Sequence, residues 1–213
     1  GRCRVLAAGR TEENHGLRGA LSDWREVVTL DHPRLPQPWV SYPGVFSHPR
    51  LDPASRLLVD CLPPLLSGGR VLDFGCGSGV LAAVARDLVP EGDVEALDVD
   101  AVALEALREN VPGAKALLRD GLPPRGTSSY DAILSNPPFH RGKAEDTGLL
   151  HAMIQGAPGL LKKDGHLVFV TQRRLPAESA LESTFRQVSI LAEEGAFRVW
   201  WARSPRLSRG GTP

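Results

Sequence analysis

Val71-Leu72-Asp73-Phe74-Gly75-Cys76-Gly77-Ser78-Gly79-Val80-Leu81 is the stretch that decides the fold. VLDF is a short apolar strand and Val80 to Leu88 an apolar-faced helix. Between them lies a turn in which every second residue from Gly75 to Gly79 is glycine. Such a turn lets the backbone reverse tightly and approach a ligand, and the helix N-terminus behind it offers unpaired N–H donors.

Downstream of this unit the pattern alternates. DVEALDV (93–99) is a strand, Ala101 to Asn110 a helix, and AKALL (114–118) a strand. YDAILS (130–135) is a strand, and Thr147 to Leu161 a helix interrupted by Pro158. HLVFVTQ (166–172) is a strand, Ala177 to Phe185 a helix, and VSILAEEGAFRVWWA (188–202) two strands about a Glu-Gly turn. Strands alternating with helices predict a mostly parallel sheet covered on both faces. The last connection is too short for a parallel crossover, so the final pair is antiparallel. The expectation is a Rossmann-like α/β fold with seven strands and an antiparallel terminal hairpin. Upstream, Asp52 caps a helix with Pro53 at its first position. Asp23 to Leu30 and Pro38 to Tyr42 read as two strands of an N-terminal β-hairpin. Residues 1–42 are therefore expected to form an extension, 43–203 the main domain, and the Gly/Pro-rich 204–213 a disordered tail.

The 213 residues suffice for one sizeable core, and 42% hydrophobic with 23% charged residues is ordinary for a globular protein. Lys and Arg total 25 and so do Asp and Glu, which leaves no global basic field for nucleic acid. Cys3, Cys61 and Cys76 form neither a disulfide framework nor a metal spacing, and no histidines pair at metal-ligand spacing. No apolar run approaches the roughly 18 residues of a membrane span, and the first residues given show no basic-then-apolar signal pattern. A cytoplasmic protein with no membrane partner is expected. The chain begins with glycine, which reads as a piece of a longer polypeptide.

The glycine spacing is GxGxG rather than the GxGxxG of dinucleotide folds. Asp73 stands immediately before the loop, where it would repel a pyrophosphate and attract a methionine ammonium. Asp98 ends the next strand, where a carboxylate can accept both ribose hydroxyls, while Asp100 is the better candidate for capping the following helix. Asp120 follows the third strand at the place of an adenine contact, though a solvated loop acid reads equally well. S-adenosylmethionine is thus the expected cofactor and NAD the weaker alternative. Asp73, Gly75, Cys76, Gly77, Gly79, Asp98, Val99, Asp120 and Gly121 are its candidate contacts.

Ser135-Asn136-Pro137-Pro138-Phe139 follows the fourth strand of the main domain, at the carboxyl end of the sheet where open α/β folds place their sites. A plain turn could use Asn and Pro too, but it seldom needs two prolines and an exposed aromatic. An exocyclic or amide NH2 is a poor nucleophile because its lone pair is delocalised. The Asn136 side-chain oxygen and the Pro137 carbonyl could hold both N–H bonds and free that lone pair. Phe139 would stack on a planar substrate. Asn136, also a candidate cofactor contact, Pro137 and Phe139 are the candidate catalytic residues. His140 and Arg141, with Lys143 beyond them, are candidate substrate contacts, though a solvated loop accounts for them equally well.

The Asp-x-Gly-x-Gly-x-Gly loop together with Asn-Pro-Pro-Phe resembles the amino-methylating class I enzymes. More specifically, Pro43 to Leu58 (PGVFSHPRLDPASRLL), Val71 to Leu81 and Ser135 to Gly142 resemble the small-subunit ribosomal RNA methyltransferase C family. The likeness covers about Trp24 to about Arg203. It implies methylation of guanine N2 in ribosomal RNA, either naked or in the small subunit, and it puts Phe46 beside the cofactor. The likeness would put Ser55 there too, although as a residue it reads better as an ordinary helix-surface serine. The family is typically a tandem duplication whose N-terminal half helps hold RNA. This chain is then either a fragment lacking that half or a single-domain relative with another target. Adenine N6, a protein glutamine or a small molecule remain open as acceptors, as does a non-catalytic RNA-binding half.

Overall fold

The computed structural model describes residues 19–66, 68–124, 126, 130–138, 140–141, 144–145 and 147–206, with backbone alone for 140, 141, 144, 145 and 147. A hairpin of β1 (Glu26–Val28) and β2 (Trp39–Ser41) precedes α1 (Pro53–Cys61). Then follow β3 (Arg70–Phe74), α2 (Val80–Leu88), β4 (Asp93–Asp98), α3 (Ala101–Asn110), β5 (Lys115–Leu118) and β6 (Tyr130–Ser135). A two-residue pair, β7 (His140–Arg141) and β8 (Ala144–Glu145), leads to α4 (Thr147–Gly156). The chain continues through β9 (Leu161–Gln172), α5 (Glu178–Thr184), β10 (Phe185–Glu194) and β11 (Phe197–Pro205).

Seven strands form the main sheet in the order β10-β11-β9-β6-β3-β4-β5. Pairs among β9, β6, β3, β4 and β5 are parallel, and β11 lies antiparallel between β9 and β10. The alternation of a two-sided sheet is visible residue by residue. Val71, Leu134, Val168 and Val199 join one buried cluster with α1, α2 and α3. Leu72, Ile133, Phe169 and Trp200 join the other with α4 and α5.

Several boundaries differ from the sequence reading. The helix from Thr147 ends at Gly156, and Ala157–Gly159 is a single 3-10 turn. Pro158 cannot donate to a fourth-residue carbonyl, so the helix gives way there. β9 begins at Leu161, well before His166. At the other end, β11 runs past Ala202 to Pro205, and Arg206 N donates to Thr184 O at 2.8 Å.

A buried side chain at the end of α3 helps to fasten the N-terminal hairpin to the domain. Asn110 Oδ1 accepts Val40 N–H at 2.7 Å, and its Nδ2 donates to Val40 O (2.8 Å) and Ser78 O (3.0 Å). Trp39 Nε1 also donates to Ser78 Oγ at 3.2 Å. The hairpin therefore braces the glycine loop from behind. Asn110→Ala would leave these buried groups unpaired and should lower stability by about 1–3 kcal/mol. Urea unfolding checks this, and an unchanged midpoint would show that water replaces the amide without cost.

Candidate active site

Parallel neighbours β3 and β6 end side by side, with Asp73 opposite Leu134. Buried Ser135 locks the two ends, its Oγ donating to Phe74 O at 2.7 Å. β4 and β5 continue the sheet to one side of β3 while β6 lies on the other, so this is the point where strand order reverses. Open α/β sheets carry their clefts there. The glycine loop and the Asn136 loop leave the sheet as neighbours for that reason.

The glycine loop is held from the β4 side. Gly75 and Cys76 N–H donate to Leu97 O at 2.8 and 3.0 Å, and Gly77 N–H donates to Asp98 Oδ2 at 2.8 Å. Gly79, with φ of 97°, opens α2, and a Cβ there would lie 2.5 Å from Leu107 Cδ1. Only glycine satisfies both the left-handed backbone and the close approach of α3. Asp100 caps α3 by accepting Val102 N–H at 2.8 Å. Asp98 Oδ1 accepts Asp100 N–H at 2.9 Å, so Asp98 braces two turns while lining the cleft.

Asp73 is placed differently from Asp98. It is fully buried behind the loop and does not line the cleft. Its Oδ2 accepts Ala82 N–H in the first turn of α2 at 2.9 Å, and its Oδ1 has no hydrogen-bond partner among the described residues. Burial pushes the carboxyl up to about 8, opposed by the Ala82 N–H and aided by the nearby Asp98 charge. Cys76 is also buried, and its thiol is pushed well up by that burial and by Asp73 and Asp98. It lines the cleft as a neutral thiol and is no nucleophile.

The cleft has two lobes that meet at Phe46, Gly75, Gly77 and Asn136. One lobe, of about 370 Å³, is lined by Leu97, Asp98, Val99, Asp120 and Gly121, with Pro138 at its edge. The other is lined by Asp52, Ser55, Cys76 and Ser78. Of the residues singled out in the sequence, Phe46, Gly75, Cys76, Gly77, Asp98, Val99, Asp120, Gly121 and Asn136 line one or both lobes. Phe139 lies outside the described residues, as do the side chains of His140 and Arg141.

Ser55 corrects the sequence reading. It is buried, and its Oγ accepts from Asn136 Nδ2 at 2.9 Å. The same amide nitrogen donates to Asp52 Oδ2 at 2.9 Å, the oxygen that caps α1 by accepting Ser55 N–H at 2.8 Å. Neither contact carries a short-range sequence signal, because the partners are more than 80 residues apart.

A glycine loop at the switch point of a parallel sheet that closes with an antiparallel hairpin is the arrangement of the class I methyltransferases. The chain belongs to the methyltransferase small domain family, which it matches over residues 38–201. It is 36% identical over 184 residues to a ribosomal RNA small subunit methyltransferase C of Shewanella loihica, covering 84% of this chain and 53% of that protein. A namesake from Idiomarina loihiensis is 34% identical over 204 residues, covering 94% of this chain and 60% of that protein. The chain thus spans little more than half the length of these curated relatives. Among solved structures, it is similar to a T. thermophilus 16S rRNA N2 methyltransferase in complex with AdoMet and guanosine. There the TM-score is 0.66 at 27% identity, over 78% of this chain and 47% of that one.

The raised Asp73 carboxyl has a consequence for stability without any ligand. The folded protein holds this proton up to about pH 8, whereas the unfolded chain releases it near pH 4. Between those values the unfolded state gains from ionisation and the folded state does not, so Asp73 destabilises the fold increasingly as pH rises. Asp73→Asn keeps an acceptor for Ala82 N–H. It should match the wild type near pH 4 and exceed it near pH 8 by on the order of a few kcal/mol. Thermal melts across this range check it, and a pH-independent difference would contradict it.

Proposed function

We propose that the protein binds S-adenosylmethionine in the two-lobed cleft and methylates an exocyclic amine, guanine N2 of small-subunit ribosomal RNA. The observation that carries this reading is the position of Asn136 where the two lobes meet. Asp98 would accept the ribose hydroxyls, and Val99, Asp120 and Gly121 would flank the adenine. Gly75, Cys76, Gly77 and Ser78 would border the methionine arm, with Phe46 over the junction. The names of the relatives, and the AdoMet and guanosine in the T. thermophilus complex, support the same assignment.

When bound, the cofactor supplies an electrophilic sulfonium methyl, so the residues of this chain need only prepare the amine. Asn136 Oδ1 and Pro137 O would accept its two N–H bonds, which withdraws the lone pair from the ring and aims it at the methyl carbon. Both acceptors stabilise the positive charge that develops as the N–C bond forms and the S–C bond breaks. The surplus proton then leaves to water. Pro137 and Pro138 stiffen the loop so that little reorganisation is needed. A ribosomal RNA acceptor would fit a cytoplasmic location. The chain's charge balance fits an arrangement in which further contacts to RNA come from elsewhere in a longer protein.

Methyl transfer from isotope-labelled S-adenosylmethionine to unmodified small subunits and naked rRNA, followed by nucleoside mass spectrometry, tests the assignment. N2-methylguanosine is expected. N6-methyladenosine, or label in protein alone, would redirect it. Asn136→Ala should lower turnover by about 100- to 1000-fold with S-adenosylhomocysteine affinity retained by calorimetry. Asp98→Ala should weaken that affinity by about 1–3 kcal/mol, and an unchanged affinity would restrict Asp98 to bracing the loop.

A further inference from the structure

We infer that Asp52 and Ser55, at the start of α1, are positioning residues that set the direction of the Asn136 amide. The inference rests on the reading of Asn136 as the acceptor for the substrate amine. An asparagine side chain can present its oxygen or its nitrogen to a given neighbour, and only one choice suits that role. With the oxygen toward the substrate, the amine N–H is held. With the nitrogen there, two donors face each other.

The geometry around Asn136 removes the choice. Its Nδ2 donates to Asp52 Oδ2 and to Ser55 Oγ, each at 2.9 Å, so both amide hydrogens are engaged. A carboxylate only accepts hydrogen bonds. Turning the amide over would set Asn136 Oδ1 against Asp52 Oδ2 at the same separation, acceptor facing acceptor. Ser55 alone would not prevent this, because its hydroxyl can donate to an oxygen as well as accept from a nitrogen. Asp52 therefore decides the orientation and Ser55 supports it. Ser55 is buried and Asn136 half-buried, so water competes weakly for these contacts.

Asp52 Oδ2 also accepts Ser55 N–H as the N-cap of α1. One oxygen thus ties the helix start to the catalytic loop across 84 residues of sequence. Helix capping and amide positioning are separable, because serine is a good N-cap but is too short to reach Asn136. Asparagine at position 52 keeps an oxygen able to serve both functions.

The test compares Asp52→Ser, Asp52→Asn and Ser55→Ala with the wild type, using cofactor affinity, melting temperature, methyl transfer to unmodified small subunits and the Asn136 side-chain amide resonances. Asp52→Ser should keep the melting temperature but lose about 10- to 100-fold in kcat at saturating S-adenosylmethionine, as a misaligned reacting group does. Ser55→Ala should lose less, and Asp52→Asn should recover most of the rate. In the wild type both Asn136 amide protons should exchange slowly with solvent, and in Asp52→Ser quickly. Wild-type kcat in Asp52→Ser, equal loss in Asp52→Asn and Asp52→Ser, or rapid exchange in the wild type would each overturn the inference. Protected amide protons that Asp52→Ser releases, in a wild type that leaves RNA unmethylated, would uphold it and place the error in the substrate.

Discussion

The parallel pairing of β3 with β6 is the constraint on which the rest of the site depends. It brings two loops that are far apart in sequence to one end of the sheet, and the Ser135 hydroxyl closes the junction on Phe74 O. Strand order reverses at this pair, so the helices that follow β3 and β6 pack on opposite faces and a crevice opens between the two loops. The glycine loop and Asn136 then share a cleft without any dedicated insertion. Other elements stabilise that arrangement. β4 holds the glycine loop through Leu97 O and Asp98, α3 and the N-terminal hairpin brace it through Asn110 and Trp39, and α1 holds Asn136 through Asp52 and Ser55.

Local signals in the sequence were enough for the sheet and for the two motifs. Alternation of short apolar strands with amphipathic helices follows from two-sided burial, and the residues on each face of β3, β6, β9 and β11 sort into the two core clusters accordingly. Gly79 and Asp100 were legible for similar reasons, since a left-handed N-cap and an aspartate cap are requirements of the adjacent turn. The helix from Thr147 was read too long because its apolar spacing continues through Leu160 and Leu161, while Pro158 and the pairing of β9 with β6 draw those residues out of the helix.

What was missed depends on contacts between distant residues. Ser55 lies in the first turn of a helix, and helical periodicity alone cannot tell a solvent-facing serine from one beneath the Asn136 loop. Asp52 was legible as a cap and not as the partner of Asn136. Asp73 was expected to face a ligand directly, whereas it is buried against α2 with one oxygen left without a partner among the described residues. That burial follows from side-chain alternation along β3, which directs Val71 and Asp73 to the face covered by α2.

Under the proposed function the two loops form a single site in which the Asn136 oxygen receives the substrate amine. A crystal structure of the protein with S-adenosylhomocysteine and guanosine tests it most directly. The account predicts the cofactor product along both lobes, with guanine N2 within hydrogen-bonding distance of Asn136 Oδ1 and Pro137 O, and Asn136 Nδ2 still on Asp52 and Ser55. Guanosine bound away from Asn136, or an Asn136 amide reversed against Asp52, would contradict it.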